Sequence, residues 1–325
     1  MSGEITLLEA ISQALRDEMR ADARVFLIGE DLGRYGGAFR VTAGFLEEFG
    51  PERIVDTPIS ESGFSGAAIG AAMAGLRPVV EFQFIDFMAN AFDMIVNFAA
   101  TSRYRWGQSV PVVFRGPSGG RVSGSAFHSA NPEGFYLRAP GLKIVYPAFV
   151  DDAYGLMRAA IRDPNPVLFF EHKYLYRRIK GTLPAGLETV PIGRARVIRE
   201  GRHATVVTWA AMVHVALEAA EKLAAEGIEI EIVDLRTIQP MDEETVLASV
   251  AKTARAIVLS EEPYSGSVAG DVAGRIAEKA FWHLDAPLAR VTCPDTPVPY
   301  SPPLEDHYLP NAAKLEAKVR ELLRA

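Results

Sequence analysis

Glu61 is the residue whose surroundings most suggest chemistry, because it follows a short extended run and begins a helix of small residues. It lies in the stretch VDTPISESGFSGAAIGAAMAGLRP, residues 55–78. One interpretation is that Glu61 complements the helix dipole behind a cap at Ser60 or Thr57. The other is a buried catalytic carboxylate whose pKa is raised by apolar neighbours. The residues by themselves leave both interpretations open.

The helix that follows Glu61 carries only small residues along one face. Gly63, Gly66, Gly70 and Ala74 follow one another at steps of three and four, which places them on the same side of a helix. Glycine destabilises a helix by roughly 1 kcal/mol per position relative to alanine, so another backbone is expected to come close. That neighbour is either a sheet of the same domain or a helix of another subunit, and the sequence favours neither decisively.

Acids and glycines dominate the segments that follow the predicted strands. These segments are GED (29–31), TPISE (57–61), IDF (85–87), RGPSGG (115–120), YP (146–147) and EHK (171–173). In open α/β sheets, ligands bind outside the carboxyl ends of the strands. We therefore expect an acidic, close-fitting site and not a basic phosphate-binding site.

Several common catalytic motifs are missing from the sequence. It contains no G-x-G-x-x-G after a strand, no P-loop and no H-E-x-x-H. Its six histidines are scattered, and its single cysteine, Cys293, cannot form an internal disulfide or a Cys-based zinc site. These absences disfavour a dinucleotide site of the usual fingerprint type, P-loop nucleotide binding and a zinc centre.

Charge and hydropathy indicate a cytoplasmic protein. The 325-residue chain has a formal net charge of −7, which gives no electrostatic support for binding nucleic acid or an anionic membrane. Its start contains acids and lacks the pattern of a signal peptide, and its longest apolar stretch ends too early, at Arg77-Pro78, to span a bilayer.

The rest of the chain alternates short apolar strands with longer helical stretches, which predicts an α/β fold with two doubly wound domains. The predicted strands include residues 25–28, 79–84, 111–114, 142–146, 167–170, 204–209, 228–235, 256–262 and 288–292. The predicted helices include 87–104, 150–163 and 210–227, the last with Gly227 as its C-cap. A segment rich in Gly, Pro and charge around 177–201 indicates a linker. We therefore predict domains at 1–185 and 203–325, joined by a linker at 186–202.

Several long motifs resemble the beta subunit of the thiamine-diphosphate-dependent 2-oxo acid dehydrogenases. They are TPISESGFSGAAIGAAMAGLRPVVEFQFIDF, PVVFRGPSGG, FHS, PGLKIVYP, AAIRDPNPVLFFEHKYLYR and VDLRTIQPMD, and the likeness runs in order from GEDLG to YLP at 308–310. The resemblance implies a transketolase-like pyrimidine-binding domain followed by a transketolase C-terminal domain. It also implies an assembly of two alpha and two beta subunits, with each cofactor across an alpha–beta interface and the small-residue helix at an interface.

The resemblance also assigns roles around Glu61. This acid matches the one that hydrogen-bonds N1′ of the cofactor's aminopyrimidine and favours the imino tautomer, whose nitrogen removes the proton from the thiazolium carbon. Phe87 falls where an aromatic ring packs on the pyrimidine, and Ile59 and Gln83 fall where that pocket is lined. The expected reaction is decarboxylation of a 2-oxo acid, followed by transfer of the acyl group to a lipoyl arm.

Two further residues take roles from the resemblance. His128 matches the histidine that faces the substrate and the lipoyl group, although without the resemblance it would be interpreted as a solvated loop histidine. Glu30 resembles an acid near the subunit interface that helps to couple the active sites, and a plain solvated acid is the alternative.

The loop AAIRDPNP matches a structural potassium site in some relatives. The implied ligands, mostly backbone carbonyls, are Val112, Ala160, Ile161, Asp163 and Asn165. The alternative is an ordinary turn fixed by prolines, because carbonyl ligands leave no side-chain signature.

One family motif is missing. Thiamine-diphosphate enzymes hold the diphosphate and Mg²⁺ with a G-D-G motif, which this chain lacks. The resemblance therefore implies that the alpha subunit holds Mg²⁺ and that the chain alone is not a competent enzyme. A one-chain transketolase or deoxysugar-phosphate synthase is excluded by the same absence and by the short length.

The implied partners are the alpha subunit and the lipoyl and subunit-binding domains of a dihydrolipoyl acyltransferase. Pyruvate is the expected substrate, with branched-chain 2-oxo acids a close second. The competing hypothesis is a non-catalytic assembly subunit that docks the acyltransferase core.

Overall fold

The computed structural model describes residues 3–325, which divide into two compact units. The first unit runs to Ser118 and resumes over Tyr136–Ile192. The second consists of Gly119–Phe135 and Gly193–Ala325. The division at Ile192 falls inside the segment predicted as a linker, while the predicted domain limits themselves stay a prediction.

A parallel sheet forms the centre of the first unit. Its strands, with one outlying antiparallel pair, are β1 (Ile5–Thr6), β2 (Val25–Gly29), β3 (Ile54–Asp56), β4 (Arg77–Glu81), β5 (Val113–Ser118), β6 (Lys143–Val145), β7 (Val167–His172) and β8 (Lys180–Gly181). Six of them are hydrogen-bonded in the order β6-β7-β5-β4-β2-β3, with every pairing parallel, and β1 pairs with β8. β5 and β7 are buried throughout, as expected for strands covered on both faces.

The helices up to Arg162 are α1 (Leu7–Ala21), α2 (Phe45–Phe49), α3 (Glu61–Met73), α4 (Ser102–Trp106), α5 (Glu133–Leu137) and α6 (Val150–Arg162). A capping box between Thr6 and Glu9 begins α1. The buried Glu18 of α1 then binds two arginines of α6, Arg158 at 2.6 Å and Arg162 at 2.8 Å. These ion pairs fix the two helices against each other on one face of the sheet.

The prediction of a single helix over 87–104 is wrong. The segment forms a 3₁₀ helix at Ile85–Ala91, a π-helical turn at Met94–Ala99 and then α4. At the junction the hydroxyl groups of Thr101 and Ser102 donate to backbone carbonyls four residues earlier, at 2.5 and 2.6 Å. Such side-chain bonds compete with the helical ladder and accompany local changes of pitch.

The second unit has its own sheet. The strands of this unit are β9 (Arg196–Arg199), β10 (Ala204–Thr208), β11 (Ile230–Asp234), β12 (Thr237–Gln239), β13 (Ala256–Pro263) and β14 (Ala289–Cys293). Five are hydrogen-bonded in the order β14-β13-β10-β11-β9, and only β9 runs antiparallel to its neighbour. The helices are α7 (Ala211–Ala224), α8 (Glu243–Thr253), α9 (Val268–Lys279), α10 (Pro302–Tyr308) and α11 (Ala312–Leu322), with 3₁₀ turns at Ser125–Phe127 and Phe281–His283.

The predicted α/β class is confirmed by these two sheets. The helix predicted over 210–227 ends at Ala224, and Gly227 follows it with a left-handed φ of 79°. In the part of the chain that the structure describes, no helix has both the length and the apolar character needed to cross a membrane.

Candidate active site

Glu61 is a buried carboxylate at the first position of α3, 9% exposed, just beyond the carboxyl end of β3. The cap proposed for this helix is not formed. Ser60 precedes the helix, but its hydroxyl donates to the carbonyl of Pro58 at 3.2 Å instead of accepting from the first turn. The hydroxyl of Thr57 is buried and has no hydrogen-bond partner among the described residues. The helix-cap interpretation therefore lacks the cap that it requires.

Glu30 lies beside Glu61. It follows the end of β2, the strand next to β3, and is only 7% exposed, so it is not the solvated acid of the alternative interpretation. Burial raises its pKa, and the neighbouring charges of Glu61 and Asp31 raise it further. Two buried carboxyl groups thus meet at the carboxyl edge of the sheet, where such folds bind ligands.

Gln83 and Phe87 follow β4, the strand on the other side of β2. The Gln83 amide donates to the carboxylate of Asp31 at 2.9 Å, which ties the segment after β4 to the segment after β2. Phe87 is half-buried and packs edge-on against Phe84, with ring centroids 6.1 Å apart. The structure therefore gathers Glu30, Glu61, Gln83 and Phe87 around the ends of three adjacent strands.

Ile59 differs from these residues, because 81% of it is exposed in this chain. It cannot supply the apolar burial that the sequence suggested for Glu61 within the subunit. Beside Gln83 lies a cavity of about 490 Å³, which is lined by Asp31, Tyr35, Gly37, Ala38, Arg40 and Gln83. This edge of the first unit is consequently open on one side.

A buried ion network that the sequence analysis missed lies beneath this edge. Arg115 on β5 is 1% exposed and binds Glu171 on β7 through two parallel bonds of 2.5 and 2.7 Å. It also binds Glu81, the last residue of β4, whose pKa is raised by burial despite the arginine. Buried carboxylates that share one arginine hold their strands in a fixed register. The network thus fixes the strand end from which Gln83 and Phe87 extend.

The carbonyl groups of the predicted potassium loop already have protein partners. Arg77 donates to the carbonyl oxygens of Ile161 and Asp163 at 2.6 and 3.3 Å, so these two oxygens converge on one cationic side chain. The carbonyl of Val112 accepts from the Val167 amide at 3.0 Å, and that of Ala160 from the Asp163 amide at 3.2 Å. The Asn165 amide group and its backbone N–H donate to the Asp163 carboxylate. The Arg77 guanidinium group thus binds two of the predicted ligands, the carbonyl oxygens of Ile161 and Asp163. The potassium site stays a prediction.

His128 belongs to the second unit, in the segment Gly119–Phe135. It follows a 3₁₀ turn, is half-buried, and its backbone N–H donates to the Ser125 carbonyl at 3.3 Å. Carboxylates of Glu261 and Glu305, more than a hundred residues later in the chain, bind the backbone around it. No local pattern in the sequence identified these acids, because their significance arises only from tertiary contact.

No cluster of three or more His, Cys, Asp or Glu suited to a metal ion occurs within residues 3–325.

Comparison with known families finds two successive domains along the chain. Residues 3–178 match the transketolase pyrimidine-binding domain, and residues 193–315 match the transketolase C-terminal domain. The chain is 47% identical over 323 residues to the 2-oxoisovalerate dehydrogenase subunit beta of Bacillus subtilis, with 98% of each chain covered. It belongs to the E1 beta subunits of the 2-oxo acid dehydrogenases. Enzymes of this family depend on thiamine diphosphate.

Other E1 beta subunits are nearly as similar. The pyruvate dehydrogenase E1 component subunit beta of Rickettsia conorii is 44% identical, with 98% of each chain covered. The mitochondrial pyruvate dehydrogenase E1 subunit beta-1 of Arabidopsis thaliana is 45% identical, with 99% of this chain and 89% of that protein covered. A solved split-gene transketolase, described as an inactive beta4 tetramer, has a TM-score of 0.82 at 23% identity over 99% of both chains. That likeness shows the fold alone and agrees with the predicted transketolase-like architecture.

Proposed function

We propose that this E1 beta subunit is catalytic, and that with an alpha subunit it oxidatively decarboxylates a 2-oxo acid and acylates a lipoyl group. The observation that supports the proposal best is Glu61, a buried and uncapped carboxylate at the start of α3 with a second buried acid, Glu30, beside it. A purely structural acid at a helix terminus would be expected to face solvent or to complete a cap.

The residues around Glu61 fit the pyrimidine half of a thiamine diphosphate site. Glu61 would hold a proton at N1′ of the ring, Phe87 would pack against the ring, and Gln83 and Ile59 would line its edges. Thiamine diphosphate, when bound, supplies the nucleophilic carbon and the electron sink that decarboxylation requires. The chain's own contribution is to orient the ring and to control its protonation.

Glu30 and Glu61 together suit this proton control. Burial and a neighbouring negative charge both disfavour the ionised form of a carboxyl group. The raised pKa of Glu30 has these two causes, with burial the larger. We propose that Glu30 helps to keep a proton available to Glu61, in line with its predicted part in coupling the active sites.

An alpha partner would complete the site. The sequence contains no G-D-G motif for the diphosphate and Mg²⁺. Ile59 is exposed, and the α3 face that carries Gly63, Ala67 and Gly70 is uncovered in this chain. We propose a tetramer of two alpha and two beta subunits in the cytoplasm, with the acyltransferase supplying the lipoyl and subunit-binding domains.

We propose pyruvate as the substrate, because relatives named for pyruvate recur at 41–45% identity from bacteria to plant mitochondria. The relative at 47% identity is named for 2-oxoisovalerate, which favours a branched-chain 2-oxo acid as the second candidate. The competing function, a non-catalytic assembly subunit, would need neither the Glu30–Glu61 pair nor a half-buried aromatic at position 87.

Co-expression with the alpha-subunit gene tests the proposal. The purified complex is expected to decarboxylate pyruvate faster than 3-methyl-2-oxobutanoate, with Mg²⁺ and thiamine diphosphate present. Calorimetry is expected to show tight cofactor binding by the complex and weak binding by the beta chain alone. Micromolar binding by the beta chain alone would contradict the shared site, and an assembled complex without decarboxylase activity would support the assembly subunit instead.

A further inference from the structure

The loop 119–135, which carries His128, adopts a backbone that needs outside support. Three non-glycine residues in it have left-handed φ angles, Arg121 at 65°, Ser123 at 55° and Ser125 at 60°. Side chains with a Cβ rarely adopt this region, because the Cβ approaches the following carbonyl. Residues held in such conformations persist only where their surroundings fix them.

Two carboxylates of the second unit provide that support. Glu305 on α10 uses both oxygens, one accepting from the Arg121 amide at 2.9 Å and the other from the Ser123 amide at 3.0 Å. Glu261 on β13 accepts from the Gly120 amide at 2.6 Å. Turns that alternate in hand expose consecutive N–H groups in a concave nest for an anion, and here the anion is a protein carboxylate. Both acids are buried, with exposures of 3% for Glu305 and 6% for Glu261.

Glu261 also spans the segment that contains His128. The same carboxylate oxygen that binds the Gly120 amide accepts from the side-chain amide of Asn131 at 3.2 Å. It therefore bonds to the chain on both sides of the histidine.

Gly124 closes the loop on itself. A Cβ there would lie 2.7 Å from the Ser129 hydroxyl and 2.9 Å from the Cβ of His128. The backbone at Gly124 thus packs directly against the histidine, and a displacement of the segment that leads to Gly124 would displace His128.

We infer that Glu305 and Glu261 are positioning residues for His128, which fix the loop conformation that presents the histidine to the lipoyl acceptor. The inference rests on the proposed function for the role of His128 and extends it to acids of the C-terminal domain. Reacting groups that are misplaced by about 1 Å can lose on the order of 10²-fold in rate. A loosened loop is therefore expected to impair the step that uses His128 more than the steps that do not.

The test uses Glu305→Gln in the complex assembled with the alpha subunit. Glutamine keeps the size of the side chain but replaces one acceptor oxygen by an NH₂ donor, which leaves one of the two loop amides without its acceptor. The neighbouring exposed acid on α10 provides a matched control, Asp306→Asn. We expect Glu305→Gln to lower the rate with a lipoyl acceptor at least about tenfold, and the rate with an artificial oxidant less than about twofold, while the control changes neither.

Two further measurements separate positioning from a general structural effect. Trypsin is expected to cleave after Arg121 faster in Glu305→Gln than in the parent or in Asp306→Asn. Combined with His128→Ala, Glu305→Gln is expected to add little to the loss in the lipoyl assay, because both changes remove the same contribution. Equal losses in the two assays, unchanged cleavage, or full additivity with His128→Ala would each overturn the inference.

Failure of the proposed function would look different. The parent complex would then lack activity in both assays, whereas the cleavage of the loop would still report whether Glu305 holds it. Unchanged cleavage in that case would overturn the anchoring role as well.

Discussion

Glu30 lies close enough to Glu61 for the charge of Glu61 to raise its pKa, in addition to the larger effect of burial. This proximity is not the result of adjacency in the chain. It arises because β2 and β3 pair in parallel, Glu30 follows β2 directly, and Glu61 begins the helix that comes shortly after β3. A substitution of Glu61 in this pair tests the catalytic proposal most directly.

We expect Glu61→Gln to assemble and to melt nearly normally but to lose at least about 10²-fold in proton exchange at the cofactor's C2 atom. Glutamine is nearly isosteric, so packing survives, whereas an amide cannot exchange a proton with the ring nitrogen. NMR after quenching from deuterated water follows the exchange separately from substrate binding. An assembled variant with normal exchange would reduce Glu61 to a helix-terminal acid.

We expect His128→Ala to impair the reaction with a lipoyl acceptor more than decarboxylation with an artificial oxidant. Histidine is a common general acid, and transfer to a disulfide needs a proton for the departing sulfur. Both rates are measured on the same preparation, and Phe127→Ala serves as a neighbouring control because that ring is 73% exposed. A parallel fall of both rates, or no fall in either, would contradict the predicted role.

We expect Gly70→Leu to block assembly with the alpha subunit without unfolding the beta subunit. A Cβ on Gly70 meets no atom within 4 Å in this chain, and leucine is a better helix former than glycine. At a close contact between subunits, however, the added side chain would force two backbones apart. Light scattering reports the assembly, and thermal melting reports the fold.

Gly66→Leu is the matched comparison, because a Cβ there would lie 3.3 Å from the Met94 sulfur of the same chain. We expect this variant to lower the melting temperature of the isolated subunit. A normal tetramer from Gly70→Leu would argue that the exposed glycine face of α3 has no partner.

We expect Glu133→Gln to flatten the pH dependence of stability. Burial and the charge of Glu261 raise the pKa of Glu133 to about 7, although the hydrogen bond that the Trp209 indole donates to it at 3.0 Å acts to lower that pKa. The pKa of Glu262 nearby is raised by burial and by the charge of Glu133. The folded protein therefore holds a proton that the unfolded chain releases near pH 4.5, so the free energy of unfolding falls as pH rises from about 4.5 to about 7.

The melting temperature between pH 5 and pH 8 measures this slope. Glu133→Gln should reduce the loss of stability over that interval, whereas the exposed control Glu278→Gln should leave it unchanged. A slope that is identical in the parent and in Glu133→Gln would show that this carboxyl group does not retain its proton in the folded state.

Much of the fold could be predicted from the sequence, since parallel strands such as β2 and the first part of β7 are continuous apolar runs with clear turns between them. Glu61 could be found because it stands in a long, specific motif. The interruption of the predicted helix at 87–104 could not, because apolar spacing does not report side-chain bonds such as those of the Thr101 and Ser102 hydroxyls, which accompany its last change of pitch.

Long-range contacts set the other limit of prediction. Gly66 and Gly70 look equivalent in the sequence, yet one faces Met94 and the other faces open space. Glu305 and Arg115 carry no local signal either, since their partners lie on strands or loops far away in the chain. Periodicity reports which face of an element is buried, but not which polar group it meets there.

The placement of Gly119–Phe135 in the second unit bears on how such a subunit can be recombined with its relatives. A chimera joined at Ile192 would take the loop from one parent and Glu261, Glu262 and Glu305 from the other. The part of the chain that must be exchanged as a whole is therefore not the domain that begins after the linker. It is the C-terminal segment together with Gly119–Phe135, and exchanges that carry both pieces are the ones expected to yield an intact loop.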